Sequence, residues 1–313
     1  MAFNALTSRN DVANLIRPEY YDEIFEGVAG SSAALAMGNR LPNMSAEQTN
    51  LTVLSALPTG YFVNGDTGLK RTTEMAWQNR QIVAEEIAVI VPIPEKVLDD
   101  SSYDLWSQIR PKIVQEFGRV VDSAVFYGTD APASWPTDIL AGATAAGNAV
   151  ALGAVGDLYD DILSDGGTVS TLETSGYFPT GHIGALTMRS RLRGLRDADG
   201  NLIFKSTVEG GTQYALDGLE TMFPLNGAIN AAQSLLISGD FNQLVYSIRQ
   251  DMTFKLLTEA VIQDAAGNIV YNLPQQDMVA LRCVMRMGWQ VPNPVNPVDT
   301  NAATRYPFAV LTP

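Results

Sequence analysis

The residue types that most often carry catalysis are scarce in this chain, which has one histidine, His182, and one cysteine, Cys283. A single imidazole excludes two-histidine metal motifs. A single thiol excludes an intrachain disulfide and any zinc site built from several cysteines. No serine or cysteine motif surrounds His182, and Cys283 falls inside an alternating pattern typical of a buried strand. We therefore predict a structural role for the histidine and a core position for the cysteine.

Two pairs of adjacent carboxylates, Glu85–Glu86 and Asp160–Asp161, are the remaining candidates for general acid–base chemistry. Neighbouring side chains on a regular element point apart, and such pairs are ordinary in an acidic protein. Residues 197–201 superficially resemble a calcium loop, but the glycine comes fourth and no glutamate comes twelfth, so a turn is the better interpretation. We predict no catalytic, cofactor-binding or metal-binding residues and keep a soluble enzyme as a rival hypothesis.

Three arginines, Arg189, Arg193 and Arg196, follow one another at i, i+4 and i+7. This spacing places them on one face of a predicted helix over 186–195. Guanidinium groups there could bind carboxylates of a neighbouring subunit or phosphates, and a solvated helix face is the alternative.

The composition describes a large folded protein with a strong negative charge. The 313 residues are 46% hydrophobic and 17% charged, and 20 basic against 34 acidic residues leave a net charge of −14. This composition argues against a disordered chain, and the negative charge argues against a protein that recognises nucleic acid.

The sequence shows no membrane or export signal. Residues 139–156 are too rich in alanine and glycine for a membrane span, and residues 1–14 have no apolar signal-peptide core. We therefore expect neither membrane insertion nor export.

The elements of the predicted fold are visible in the periodicity of the apolar residues. A long helix is expected over 103–127, with a kink or break at Pro111 and a stop at Gly128. Residues 87–94 predict a buried strand, and 278–291 alternate as a half-buried strand. Near-identical Asp-x-x-Gly-Asn turns over 196–204 and 263–271 each open onto a strand.

One feature is unusual for a monomer. Turn formers and strand formers over 57–80 predict a long hairpin, preceded by a loosely patterned arm. Its apolar side chains have few local partners, so they are expected to lie on other subunits. The candidate interface residues are Tyr61, Phe62, Leu69, Lys70 and Trp77.

The order of these elements resembles the major capsid proteins of tailed bacteriophages with the Hong Kong 97-type fold. The segments that carry the resemblance span most of the chain. They are 57–77 (extended loop), 88–101 (return strand), 103–127 (spine helix), 126–140 (helix end and connection), 188–204 and 215–225 (axial domain), and 237–249 (re-entry into the peripheral domain). Asp138 stands where the family pattern usually has a glycine.

The resemblance implies an α+β capsid fold with four parts. Residues 1–55 would form an N-terminal arm and 56–86 the extended loop hairpin. Residues 87–155 with 240–295 would form the peripheral domain, and 156–239 with 296–313 the axial domain.

The resemblance also implies a role and partners. The chain would be a structural protein of the virion that joins other copies as hexamers and pentamers around packaged double-stranded DNA, without sequence-specific contact, after assembly in the host cytoplasm. A portal is an expected partner. About 55 residues precede the loop, too few for the fused scaffolding domain that some members carry at this end, so a separate scaffolding protein, or none, is expected.

Two alternatives remain at this stage. An encapsulin-like bacterial compartment shares the fold and needs the same arm and loop. Some family members cross-link a loop lysine to a neighbouring asparagine, and Lys70 lies where such a lysine could be, although a solubilising lysine is the simpler interpretation.

Overall fold

The structure, a computed structural model, describes residues 32–63, 68–101, 105–195 and 215–313. It is a mixed fold in which two sheets and a long helix share one core. The helices of the described ranges are α1 Ala33–Met37, α2 Glu95–Asp100, α3 Leu105–Tyr127, α4 Ile139–Ala146, α5 Leu158–Leu163, α6 Thr168–Thr174 and α7 Leu186–Gly194. The strands are β1 Asn39–Arg40, β2 Gln48–Ala56, β3 Ala76–Val83, β4 Glu85–Pro94, β5 Ala149–Ala151, β6 Gly181–Gly184, β7 Ala215–Leu216, β8 Leu219–Met222, β9 Leu236–Gly239, β10 Val245–Leu257, β11 Val261–Gln263, β12 Ile269–Asn272, β13 Met278–Gln290 and β14 Phe308–Thr312.

The first sheet has the order β1-β10-β13-β4, with β13 antiparallel to both of its neighbours. The alternation that predicted β13 is confirmed, because Leu281, Cys283 and Met285 are buried and join the core cluster with α3. Gly288 on this strand lies under the backbone of β3. A Cβ there would come 2.3 Å from the carbonyl oxygen of Val83, so glycine is required where β3 crosses the sheet.

The long helix α3 is continuous through Pro111, and the expected break into two helices is wrong. Pro111 is exposed, so the backbone hydrogen bond that a proline cannot donate does not fall in the core. The buried face begins two residues later with Ile113 and continues through Phe117 and Val121. The predicted stop at Gly128 is confirmed, since this residue has φ +64° in the left-handed region.

The second sheet has the order β5-β14-β9-β6-β8-β7 and is packed by the shorter helices. Strand β5 lies in the range that the sequence assigned to the peripheral domain, yet it pairs in parallel with β14. This partner is more than 150 residues away, so no local pattern indicated the pairing. Asp138 caps the helix α4 before β5, because its carboxylate accepts a hydrogen bond from the Ala141 amide.

The strands β2 and β3 form the predicted hairpin, but in a different place. Pairing runs from Gln48 opposite Val83 to Ala56 opposite Ala76, so the first strand begins inside the predicted arm. No described residue from 57 to 75 belongs to a strand. The prediction of paired strands near Tyr61, which followed strand propensity, is therefore wrong. The position of paired strands depends on their cross-strand partners as well as on propensity.

The hairpin of β11 and β12 turns at 264–268, as predicted from the second Asp-x-x-Gly-Asn motif. Asp264 accepts hydrogen bonds from the Asn268 side chain and from the backbone amides of Asn268 and Ala266, and these bonds lower the pKa of its carboxyl. The matching motif over 196–204 lies outside the described residues. No described helix is both long and apolar enough to cross a membrane.

Candidate assembly interface

The chain from the end of β2 to the start of β3, where Trp77 lies, presents the predicted aromatic and aliphatic side chains to solvent. Phe62 is fully exposed, Leu69 is 90% exposed and Trp77 is 61% exposed. The hydroxyl of Tyr61 donates to the carbonyl of Arg71 at 2.8 Å, and the Arg71 guanidinium lies 5.9 Å from the Tyr61 ring centroid. These contacts order the middle of the segment and leave its apolar tips without cover from the described part of the chain.

The base of this segment is anchored to the first sheet. Ile82 is fully buried and packs with Met44 and Val245 in a small core of its own. The Val295 amide donates to the Leu54 carbonyl, and the Trp135 indole donates to the Val83 carbonyl. The strands at the base of the segment are therefore held in place, and a fixed base allows exposed side chains farther along the segment to contact another molecule.

Lys70 is exposed beside Leu69. Of the three predicted arginines, Arg193 is exposed in the last turn of α7 and Arg189 is half-buried earlier in the same helix. Met188 and Leu192 bury the other side of α7 in the second core. The last turn suits cationic side chains because the helix dipole is negative there. Arg196 lies outside the described residues.

Sequence reasoning missed a second exposed apolar surface, on β10 and on the β11–β12 hairpin. It consists of Phe254, Leu256, Val261, Ile269, Val270 and Tyr271, all at least one-third exposed. The Arg110 guanidinium lies 5.7 Å from the Phe254 ring centroid. The run Ile269-Val270-Tyr271 was the available signal, since three consecutive apolar residues cannot all face one side of a strand.

The carboxylates of the two pairs have separate partners. Glu85 contacts Ser134, while Glu86 forms an ion pair with Arg286. Asp161 is buried, and burial raises the pKa of its carboxyl, but hydrogen bonds from the backbone amides of 153–156 more than reverse this and lower the pKa overall. Within the described ranges no group of three or more His, Cys, Asp or Glu side chains could hold a metal ion.

His182 has the structural setting that was predicted. It is buried in β6 with its Nδ1 atom 2.8 Å from the Ser238 hydroxyl. Burial lowers the pKa of the imidazole to about 4, so the ring is neutral at physiological pH.

A buried carboxylate, Asp122, joins three distant parts of the chain. It accepts hydrogen bonds from the Ser32 hydroxyl at 2.6 Å, from the Ala33 and Ala34 amides at 2.9 and 3.0 Å, and from the Asn226 side chain at 2.5 Å. Burial raises the pKa of the Asp122 carboxyl, and the hydrogen bonds oppose this increase. Asp122 thereby fixes α1 and the 223–229 loop to α3.

The family was identified by comparison with known proteins. Residues 12–298 match the model of the phage capsid family. The chain belongs to the phage capsid family. It is 25% identical over 285 residues to the major capsid protein of Staphylococcus phage 80alpha, covering 87% of this chain and 80% of that protein.

Solved structures of phages agree with this family. A chain from Microbacterium phage Oxtober96 is 38% identical with a TM-score of 0.85, covering 99% of this chain and 100% of the other. A chain from Mycobacterium phage Adephagia is 31% identical with a TM-score of 0.82, covering 99% and 98%. This phage capsid protein therefore has the Hong Kong 97-like fold and is a major capsid protein of a tailed phage, a structural component of the virion. The matches do not favour a bacterial compartment shell.

The family is one of structural shell proteins that assemble from copies of themselves.

Proposed function

We propose that this capsid protein assembles as hexamers and pentamers into an icosahedral shell around the phage genome. The observation that carries the proposal is the exposure of Phe62 and Leu69 on an anchored, projecting segment. Large apolar side chains held away from their own core gain free energy when a second molecule covers them. A neighbouring copy would bury these side chains, because the shell consists of copies of this chain.

Different parts of the chain would have different roles in assembly. The arm of residues 1–55 and the extended loop of residues 56–86 would clasp neighbouring subunits. The unit around the first sheet and α3 would form the peripheral domain. The unit around the second sheet would form the axial domain and meet its copies at the centre of the capsomer. We assign no catalytic activity and no cofactor to any of these parts.

The arginines Arg189, Arg193 and Arg196 would provide the basic side of a subunit contact. With a net charge of −14 per chain, copies repel one another unless basic groups meet acidic neighbours. Salt screens both this repulsion and the contacts that oppose it, so assembly yield should depend on ionic strength. Salt-independent assembly would count against these arginines as interface residues.

The remaining partners follow from the family resemblance. We propose a separate scaffolding protein, a portal, and packaged double-stranded DNA held without sequence-specific contact, with assembly in the host cytoplasm. The net negative charge of the chain suits a shell that does not bind its DNA tightly. Uniform closed shells formed by this chain expressed alone would refute the need for a scaffold.

The test of the shell proposal compares the wild type with Phe62→Asp and Leu69→Asp by light scattering and negative-stain electron microscopy. A charge at either tip should block closed shells and leave smaller species, because an aspartate cannot be buried there without a partner. Phe62→Leu is the matched control and should assemble, since it keeps an apolar side chain. A wild type that stays monomeric under all conditions would contradict the proposal, and normal shells from both aspartate variants would contradict the role of the loop.

A further inference from the structure

An apolar groove lies at the surface between α1, α3 and the first sheet. Its volume is about 610 Å³, and none of the described side chains that line it carries a charge. Val114, Phe117 and Val121 follow one another at i, i+3 and i+7, so they form one stripe along α3. Val114 is 44% exposed although it belongs to this stripe. The other large apolar side chains of the groove are Leu35, Met252 and Met285.

The apolar surface continues from the groove along β10. Met252 lines the groove, and Phe254 and Leu256 follow it at alternate positions of the strand. Phe254 lies opposite Cys283 and Leu256 opposite Leu281, two residues of β13 that pack in the core with α3. Both exposed side chains therefore share the face of the sheet on which the groove lies.

The segment between β2 and β3 of the same subunit starts from the opposite face of this sheet. Met285 of β13 faces α3 and the groove, whereas Gly288 faces the other way, because side chains alternate along a strand. The backbone of Val83 lies against Gly288 on that other face. The Gln290 side chain, which points the same way as Gly288, donates to the Gln81 carbonyl. The base of the segment and the groove of one subunit are thus separated by the sheet.

We propose that Phe62 of a neighbouring copy fills this groove. The inference rests on the proposed function, and it names the surface that receives the exposed segment. Phe62 is a fully exposed large apolar side chain, and contact with an uncharged groove removes both surfaces from water. Its ring would also contact the sulfur atoms of Met252 and Met285, which interact favourably with aromatic rings.

The proposed contact joins two different surfaces of the chain, so it is heterologous. Each subunit inserts its Phe62 into one neighbour and receives the Phe62 of another. Heterologous contacts of this kind generate a ring when the rotation between subunits closes. The contact therefore suits the hexamers and pentamers of the proposed shell.

A mixture of two single variants, Phe62→Cys and Val114→Cys, tests the contact. After assembly and oxidation, the mixture should give a disulfide-linked dimer on a non-reducing gel, which mass spectrometry assigns to positions 62 and 114. Neither variant assembled alone should give it, because each carries one half of the pair and the native Cys283 is buried. The control mixture of Phe62→Cys with Lys255→Cys should give no dimer. Lys255 is exposed but lies opposite Arg282, on the face turned away from the groove.

Three results would overturn the inference. The first is shells without the dimer, both with Val114→Cys and with Met252→Cys in its place. The second is a dimer from Phe62→Cys alone, since the segments would then meet one another. The third is an intrachain disulfide in the unassembled double variant, since the subunit's own Phe62 would then fill the groove. All three leave the proposed function standing, whereas a wild type that forms no shells would refute that function and this inference with it.

A charge placed in the groove supplies an independent measurement. Val114→Asp should lower the yield of closed shells at least about tenfold, because an aspartate cannot be buried against Phe62 without a partner. The unassembled Val114→Asp subunit should unfold at the wild-type midpoint, since this position is partly exposed. Val114→Ile keeps the groove apolar and should assemble like the wild type. A Val114→Asp protein that forms shells at the wild-type yield would overturn the inference.

Discussion

Replacing Asp122 with asparagine tests how α1 and the 223–229 loop are held to the spine helix α3. One carboxylate oxygen accepts from the Ser32 hydroxyl and the Ala34 amide, and the other accepts from the Ala33 amide and the Asn226 side chain. All four partners are donors, and aspartate presents acceptors to each. An asparagine has nearly the same shape but presents a donor on one side.

The cost of this change follows from the hydrogen bonds. Whichever oxygen becomes the NH₂ group, two donors lose their acceptor in a buried site. Each buried donor left without a partner costs about 1–3 kcal/mol, so the sum is roughly 2–6 kcal/mol. Removal of a buried charge offsets part of this cost, because burial already raises the pKa of Asp122. We expect a loss of about 3 kcal/mol in the free energy of unfolding.

The assay is denaturant unfolding of the unassembled subunit, together with hydrogen exchange at the Ala33 and Ala34 amides. The amide that faces the new NH₂ group, either Ala33 or Ala34, should exchange faster in Asp122→Asn, because its acceptor is lost. The matched control is Asp130→Asn, the same chemical change at an exposed position, which should alter stability by less than about 0.5 kcal/mol. An Asp122→Asn protein as stable as the control, with unchanged exchange at both amides, would refute the reasoning.

Three further predictions concern other buried or exposed groups. The folded-state pKa of His182, about 4, lies below its unfolded value. The unfolded state therefore binds more protons as the pH falls, and the wild type should lose about 2 kcal/mol relative to His182→Gln between pH 7 and pH 4.5. A pH-independent difference in unfolding midpoints would contradict this. Arg305 is buried and donates to the Asn293 and Asp299 carbonyls, so Arg305→Met should lower the unfolding free energy by about 2–3 kcal/mol, more than Arg305→Lys. Equal stability of Arg305→Met and wild type would show that these bonds contribute nothing. Assembled particles boiled in SDS should run as monomers, because Lys70 is interpreted as solubilising, whereas a surviving ladder would show cross-links.

Local patterns predicted most of the elements around the candidate interface. The period-two alternation of β13 and the apolar face of α3 depend on neighbouring residues, so their bounds came within a few residues of the structure. The turn at 264–268 likewise depends on a local aspartate. The exposure of Phe62 was expected because an isolated hairpin offers too few partners to cover its apolar side chains.

Features that depend on distant pairing were not predictable from the sequence. The parallel pairing of β5 with β14, the start of the hairpin at Gln48 and the continuity of α3 through Pro111 emerged only from the structure. Asp122 shows the reason most clearly, because its donors come from residues 32–34 and 226, about 90 and 104 positions away. The sequence by itself determined elements whose pattern is local, such as α3 and β13, because their periodicity depends on neighbouring residues. Only the tertiary structure showed which helices and strands contact one another, because hydrogen bonds and packing between distant segments depend on the fold of the whole chain.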